Sequence, residues 1–198
     1  MPASGSKSLD TIGFLTVREH PEQGFLGGYL ILNAARRPLE FHCTAPLRPN
    51  RAQEILYGPT LRPFLYGEQI GLTLMEKTRS KPIFVCTDVE PALTVREHSS
   101  VPVLWVDRPA RDRNRITGSD WRVDSAHQKT PAPVGIGLRV ELGPNRVALP
   151  VGYESDRDEL LQQWQRIAED FDLGEPFDRI HEAIEEAQRA AAAASSKS

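Results

Sequence analysis

The sequence PIFVCTDVEPALTVREHSSVPVLWV, residues 82–106, decides the fold class of this chain. It holds two continuous apolar runs, residues 82–87 and 101–106, which are typical of β-strands buried on both faces. The residues between the runs leave room for a short helix, with Pro91 near its first turn. A strand, a helix and a second strand in this order predict a crossover connection and a parallel strand pair.

Three further strands are predicted upstream of the crossover, at residues 11–19, 28–33 and 39–44. The turns between them are short, so these strands are expected to form an antiparallel meander. A hairpin is predicted downstream, within residues 135–151, and two amphipathic helices follow it. The predicted fold class is therefore α/β of mixed α+β character. A five-stranded mixed sheet combines the meander with the crossover, and the hairpin and the two C-terminal helices are added to it.

The length of the chain, 198 residues, predicts one globular domain over residues 11–189. Residues 1–10 are expected to form a disordered tail, and residues 190–198, rich in Ala and Ser, a frayed one. Residues 107–133 read as a long Arg-rich loop with six basic and four acidic side chains.

Composition excludes several classes of protein. The net charge of −3 and the pI of about 6.0 exclude the global basic field of a non-specific nucleic-acid-binding protein. No run approaches the roughly 18 apolar residues of a membrane span, and the start lacks a secretion signal. Cys43 and Cys86 both lie in apparent strands, which is typical of reduced thiols. We expect a soluble cytoplasmic protein with no membrane partner.

A single carboxylate, Glu68, lies within the apolar stripe of a helix predicted over about residues 60–78. At 3.6 residues per turn the stripe consists of Leu61, Phe64, Leu65, Gly71, Leu72 and Met75. A buried carboxylate is costly unless it is paired, hydrogen-bonded or bound to a metal ion. Glu68 is therefore predicted to accept hydrogen bonds from Tyr29, Tyr57 or an arginine, or else to belong to a functional site.

The order of elements over about residues 11–106 resembles the ribonuclease H-like fold. In that family, carboxylates on the first strand, the first helix and the tip of the fourth strand hold two divalent ions for phosphodiester hydrolysis. The resemblance implies that Glu68 and Asp88 are the second and third of these groups. The middle of the first strand has no acid, so Asp10 or Glu19 would have to act as a displaced metal ligand. Alternatively, Asp88 caps the helix that follows it.

Two other groups of residues are candidate sites. Arg48, Asn50 and Arg51 lie at the start of a predicted helix, where a phosphate or carboxylate would be favoured, although Asn50 also suits a simple helix cap. His42, Cys43, Cys86 and His98 could form a metal or redox site if the third and fourth strands are neighbours. Core packing is the alternative for these thiols.

The leading interpretation from sequence is a non-catalytic interaction or scaffold domain with no established cofactor, because each candidate site lacks an element that its chemistry needs. It would bind an unidentified protein partner or a second copy of the chain. One alternative is a divergent metal-dependent nuclease or phosphodiesterase that uses Glu68 and Asp88, with Glu19 as a further metal ligand. Another is a module that binds an anion or phosphate ligand. The Arg-rich loop could also contact nucleic acid, with Trp121 stacking on a base.

Overall fold

Seven β-strands form one mixed sheet at the centre of the structure, a computed structural model that describes residues 10–108 and 135–195. Their order across the sheet is β3-β2-β1-β4-β5-β7-β6. The strands are β1 (Thr11–His20), β2 (Gly24–Asn33), β3 (Pro38–Cys43), β4 (Phe84–Thr87), β5 (Val103–Val106), β6 (Ile136–Leu142) and β7 (Asn145–Pro150). The mixed α/β class is therefore confirmed, whereas the predicted number of five strands is wrong.

The meander and the crossover are both present. Strand β2 pairs antiparallel with β1 and with β3, while β4 pairs parallel with β1 on one side and with β5 on the other. The segment between β4 and β5 is a 3₁₀ helix, Glu90–His98. Strands β1, β4 and β5 therefore run in the same direction, and their carboxyl ends meet at one edge of the sheet.

The hairpin β6–β7 belongs to the sheet. Strand β7 pairs antiparallel with β5, with Trp105 opposite Ala148. An unpaired β5 would leave a row of backbone N–H and C=O groups exposed, and β7 satisfies them. The sequence shows both strands of the hairpin but not which edge of the sheet they extend, which is why the strand count was too low.

Helices cover both faces of the sheet. Helix α1 (Arg51–Tyr57) and helix α2 follow β3, and α3 (Asp156–Trp164) and α4 (Glu175–Ser195) follow β7. Helix α2 is one continuous helical run made of Leu61–Pro63, Phe64–Leu72 and Thr73–Glu76. Helix α2 and the 3₁₀ helix lie on one face, and α3 and α4 lie on the other.

The two cores differ in which residues of β1 they use. Phe14 faces α4, where its ring meets Phe177 edge-on at 5.7 Å, and it also stacks on Phe171, which precedes α4, at 6.3 Å. Leu15 faces α2 instead, because side chains alternate along a strand. Each fully buried aromatic or aliphatic side chain of this kind contributes about 1.5–3 kcal/mol to folding.

Helix α4 continues to Ser195, so residues 190–195 are helical, and the frayed C-terminal tail stays a prediction. Predictions for residues 1–9, 109–134 and 196–198 lie outside the described residues; they include most of the N-terminal tail and nearly all of the Arg-rich loop. Within the described part of the chain, no helix is long and apolar enough to cross a membrane.

The middle of α2 is π-helical over Phe64–Leu72, and this changes which side chains it buries. A π-helix forms i→i+5 hydrogen bonds, so the 3.6-residue period used to predict the stripe does not hold there. The buried positions are Leu65, Tyr66, Gly67, Ile70, Gly71 and Leu74, and Glu68 is exposed. The expectation that Glu68 faces the core is therefore wrong.

Candidate active site at the carboxyl edge of the sheet

A topological switch point lies between β1 and β4. The chain leaves β1 towards β2 on one side, and it leaves β4 towards β5 on the other. Ligands of open α/β sheets bind in the crevice at such a point, outside the carboxyl ends of the strands. Leu15 lies opposite Thr87, so the next residues, Thr16 and Asp88, lie at the same level in this crevice.

Seven polar side chains gather on the α4 side of this crevice, and we call them the carboxyl-edge cluster. The sheet contributes four of them and α4 contributes three. They are Thr16, Arg18, Asp88, Arg108, Asp178, His181 and Glu185.

Asp88 is the central carboxylate of the carboxyl-edge cluster. Its side chain is only 6% exposed, and its Oδ2 accepts a hydrogen bond from Nη1 of Arg108 at 3.3 Å. Its Oδ1 is also buried and has no hydrogen-bond partner among the residues that the structure describes. Burial of an unpaired acceptor costs about 1–3 kcal/mol, and more for a charged group, so such an atom calls for a functional explanation. The 3₁₀ helix is capped by Val89, so the predicted capping role of Asp88 is wrong.

Arg108 joins the sheet to α4. It lies two residues after β5 with its side chain 4% exposed, and its Nη2 donates to Oδ1 of Asp178. Its guanidinium also lies over the ring of Phe177, with the central carbon 5.7 Å from the ring centre. Two carboxylates and one aromatic ring therefore fix the orientation of this cation.

Arg18 is the second guanidinium of the carboxyl-edge cluster. It lies near the end of β1, is 8% exposed, and donates from Nη1 to Oε1 of Glu185 at 3.1 Å. Burial lowers the pKa of Arg18, while Glu185 and then Asp88 oppose that change. Arg18 keeps its positive charge because an arginine pKa starts above 12.

His181 is close enough to Asp88, Arg18 and Arg108 for their charges to act on it. Its Nε2 is 3.4 Å from Oγ1 of Thr16. Burial lowers the pKa of His181 to about 4; Asp88 opposes this change, and Arg18 and Arg108 add to it. The imidazole is therefore neutral at pH 7.

The sequence contained a signal for this cluster that our prediction missed. Asp178, His181 and Glu185 recur at intervals of three and four residues, which places them on one face of a helix. The prediction for this helix considered only the apolar stripe beside them, which includes Phe177, Ile180 and Ile184. An arginine inside a strand that is otherwise buried, Arg18, was the other available signal.

The donor atoms do not fit a pair of divalent metal ions. The β1 residue level with Asp88 is Thr16, not a carboxylate, and two guanidinium groups lie beside Asp88. Among residues 10–108 and 135–195, no three His, Cys, Asp or Glu side chains are placed to hold a metal ion.

The structure does not bring the predicted metal ligands together. Glu68 is exposed on α2, on the opposite face of the sheet from Asp88. Glu19 accepts a hydrogen bond from Arg62 at 2.8 Å, and Asp10 pairs with Arg166. Tyr29 is not the hydrogen-bond donor proposed for Glu68, because its hydroxyl is buried and has no partner within residues 10–108 and 135–195.

The predicted anion site is a helix cap in the structure. Asn50 forms a capping box with Gln53, as the sequence indicated. Arg51 pairs with Glu54 at 2.9 Å, and Arg48 is exposed. Helix α1 has only seven residues, and none of them is buried.

The predicted thiol site does not form. Strands β2 and β1 lie between β3, which carries Cys43, and β4, which carries Cys86. Cys43 is exposed, whereas Cys86 is fully buried, and burial raises its pKa well above that of a free thiol. His42 bonds to Glu40 at 3.3 Å instead. Core packing is the role of Cys86.

Comparison with known proteins finds similarity among solved structures only. No family model and no curated protein match the sequence. Among solved structures, the chain is similar to Ciona intestinalis endonuclease V, a variant crystallised with a 23-mer DNA containing an inosine followed by a ribo-adenosine. The match covers 88% of this chain and 86% of that one, with 11% identity and a TM-score of 0.41.

This comparison corrects the leading interpretation from sequence. The non-catalytic scaffold domain is not kept, because the similar solved structure is that of an endonuclease crystallised with DNA, which agrees better with the nuclease alternative. The identity and the TM-score are too low to transfer that protein's activity or substrate to this chain. A weak resemblance to a nuclease-like fold is what the comparison supports, and the function proposed below depends on the residues of this chain.

Proposed function

We propose that this chain is a nucleic-acid-processing enzyme whose active site is the carboxyl-edge cluster. The observation that supports the proposal is the unpartnered Oδ1 of Asp88, buried at a topological switch point beside the guanidinium of Arg108. A carboxylate oxygen without a donor can accept a proton from a reacting group. A fixed guanidinium next to it can stabilise negative charge as that charge develops.

Asp88, Arg18 and Arg108 are suited to the hydrolysis of a phosphodiester. A water molecule attacks phosphorus and its proton passes to Oδ1 of Asp88. The bond from phosphorus to the leaving oxygen breaks, and that oxygen takes a proton from solvent. Positive charge on Arg18 and Arg108 lowers the energy of the negatively charged transition state, and the low polarity of a buried site strengthens this effect.

Nucleic acid is proposed as the substrate because of the sequence that begins at the site. Residues 107–133 carry six basic side chains, and Arg108 of the carboxyl-edge cluster is the first of them. Basic side chains pair with phosphates and aromatic rings stack on bases, so the composition of this segment, which includes Trp121, suits a nucleic-acid ligand. Binding to a protein partner or to a second copy of the chain stays a prediction.

The strand order is consistent with this proposal. The order β3-β2-β1-β4-β5, with β1, β4 and β5 parallel, is that of the ribonuclease H-like fold that the sequence resembles. A shared fold does not establish a function. The proposed activity depends on the chemistry of Asp88, Arg18 and Arg108.

The experiment compares wild type with Asp88→Asn and Glu68→Gln on fluorescently labelled RNA, DNA and RNA–DNA hybrids, both single- and double-stranded. Asp88→Asn keeps the shape of the side chain and an acceptor for Arg108 but cannot take up the proton. We expect it to slow cleavage by about 10²–10⁴-fold, the usual contribution of a general base. Glu68→Gln is the control, because Glu68 is exposed on the other face of the sheet.

Cleavage that is lost in Asp88→Asn and kept in Glu68→Gln supports the proposal. Equal cleavage by wild type and Asp88→Asn would reveal a contaminating nuclease and overturn it. Absence of cleavage on every substrate, with or without Mg²⁺ and Mn²⁺, would overturn it as well. Melting curves of the three proteins check that each variant is folded.

A further inference from the structure

Cations already occupy the place where a metal-dependent nuclease would need its ions. Arg108 pairs with Asp88 and Asp178, and Arg18 pairs with Glu185. Every carboxylate of the carboxyl-edge cluster therefore has a guanidinium partner. A divalent ion would have to displace buried ion pairs and then lie close to the guanidinium groups it had displaced.

The backbone of the sheet positions both Arg18 and Arg108. Arg18 faces α4 because it alternates with Val17 on β1. Arg108 follows β5 and contacts Asp178 and Phe177 of α4. The side chains are 8% and 4% exposed, so they are held in a region from which most water is excluded. Charges in such a region act strongly on a bound anion.

Arg108 has the donors that a phosphate group needs. A guanidinium carries five N–H donors in a planar fork, and Asp88 and Asp178 use two of those on Arg108. The same fork matches two oxygens of a phosphate, which a lysine ammonium cannot do. The carboxyl-edge cluster reaches solvent at Asp178, which is 37% exposed, and at Glu185, which is 25% exposed.

We propose that Arg18 and Arg108 supply the positive charge of this active site, so that it binds and cleaves phosphodiesters without a divalent metal ion. This inference rests on the proposed function, because it concerns the same site and the same reaction. It distinguishes the chain from the ribonuclease H-like pattern, in which two metal ions stabilise the transition state.

The test measures oligonucleotide binding by fluorescence anisotropy, and cleavage by gel, in buffer containing EDTA and in buffer containing Mg²⁺. The expected result is that binding and the cleavage rate of wild type differ less than threefold between the two buffers. Arg108→Gln is expected to weaken binding at least tenfold and to slow cleavage at least 100-fold. Arg108→Lys keeps the charge but loses the planar fork of N–H donors. Its binding and its cleavage rate are expected to lie between those of wild type and those of Arg108→Gln.

A second measurement, of metal binding, does not depend on cleavage of a substrate. Titration of Mn²⁺ into wild type, followed by calorimetry or by the paramagnetic resonance signal of the free ion, is expected to show no specific binding. Arg157→Gln is the matched control for Arg108→Gln in the binding and cleavage assays, because Arg157 is exposed and pairs with the neighbouring, exposed Asp158. If Arg108→Gln fails to fold, Arg108→Lys and the wild-type comparison in EDTA still decide the question.

The possible outcomes separate this inference from the proposed function. Cleavage by wild type that stops in EDTA and returns with Mg²⁺ would overturn the metal-free site but leave the nucleic-acid-processing enzyme in place. A stoichiometric Mn²⁺ site in wild type would overturn it in the same way. Absence of cleavage in both buffers would overturn both proposals.

Discussion

Nη1 of Arg108 lies 3.3 Å from Oδ2 of Asp88, and this buried contact ties the residues after β5 to the end of β4. The same guanidinium donates to Asp178, so one side chain connects two strands of the sheet with α4. Loss of Arg108 would leave the buried carboxylate of Asp88 without its guanidinium partner. The contact therefore matters for stability as well as for the proposed chemistry.

Replacing Arg108 by methionine should destabilise the fold strongly. The variant leaves the carboxylate of Asp88 buried without its partner, and breaking a buried ion pair costs about 3–5 kcal/mol. Arg157→Gln breaks an exposed pair instead and should change stability by less than about 1 kcal/mol. Urea unfolding of both variants measures the difference. Equal effects would contradict the buried pairing.

Stability should fall as the pH decreases from about 6.5 towards 4 because of His181. Its pKa of about 4 in the folded protein is below the ordinary 6.5, so the unfolded chain binds a proton more readily than the folded one. The contribution of neutral His181 to stability is fully present above pH 6.5 and is lost as the pH falls through about 4. The total loss is on the order of 3 kcal/mol.

The pH dependence is measured by urea unfolding between pH 7.5 and 4.5 for wild type, His181→Asn and His98→Gln. His181→Asn should flatten the curve, because the replacement side chain does not titrate. His98 is exposed, and its variant should keep the wild-type slope. If His181→Asn keeps the wild-type slope, the pH dependence of stability comes from other titratable groups.

Alanine at position 67 should disrupt the packing of α2. A Cβ atom there would lie 1.9 Å from Oγ1 of Thr94 on the 3₁₀ helix. Thr94 cannot simply turn away, since this hydroxyl donates to the carbonyl of Pro63. Overpacking of this kind costs about 1–3 kcal/mol. In Gly135→Ala the new Cβ would have only an ordinary contact with Val151 at 3.9 Å, so thermal unfolding should separate the two variants.

Asn145 should be essential for attaching the hairpin to the segment before α4. Its side-chain amide donates to the carbonyls of Leu142 and Phe171 and accepts from the backbone N–H of Leu173. All three bonds are buried, so Asn145→Ala should cost about 2–4 kcal/mol, given that each unsatisfied group costs about 1–3 kcal/mol. Chemical denaturation measures the loss. A loss below about 1 kcal/mol would show that water replaces the amide.

The elements of the fold were mostly visible in the sequence. The meander, the parallel pair formed by the runs at 82–87 and 101–106, and the C-terminal amphipathic helices follow from local patterns of period two and 3.6. The cap at Asn50 was also predicted, because a capping box depends on residues three apart. These features depend on neighbours in the chain.

The site was not predictable to the same degree. Asp88 was identified as a candidate, but Arg18, Arg108 and His181 were not, because they approach Asp88 from β1, β5 and α4. Glu68 was misplaced because the π-helical turns of α2 change the period on which its burial was judged. No local sequence pattern predicts the change from α-helical to π-helical hydrogen bonding in α2.

The sequence by itself determined the strands, most of the helices and the mixed α/β class, since hydrophobic periodicity and helix capping act between residues close in the chain. The tertiary structure alone decided that the hairpin completes a seven-stranded sheet and that two arginines surround the carboxylate of Asp88. Both outcomes depend on which distant segments share an edge or a face, and the free energy of that pairing comes from burial across the whole domain.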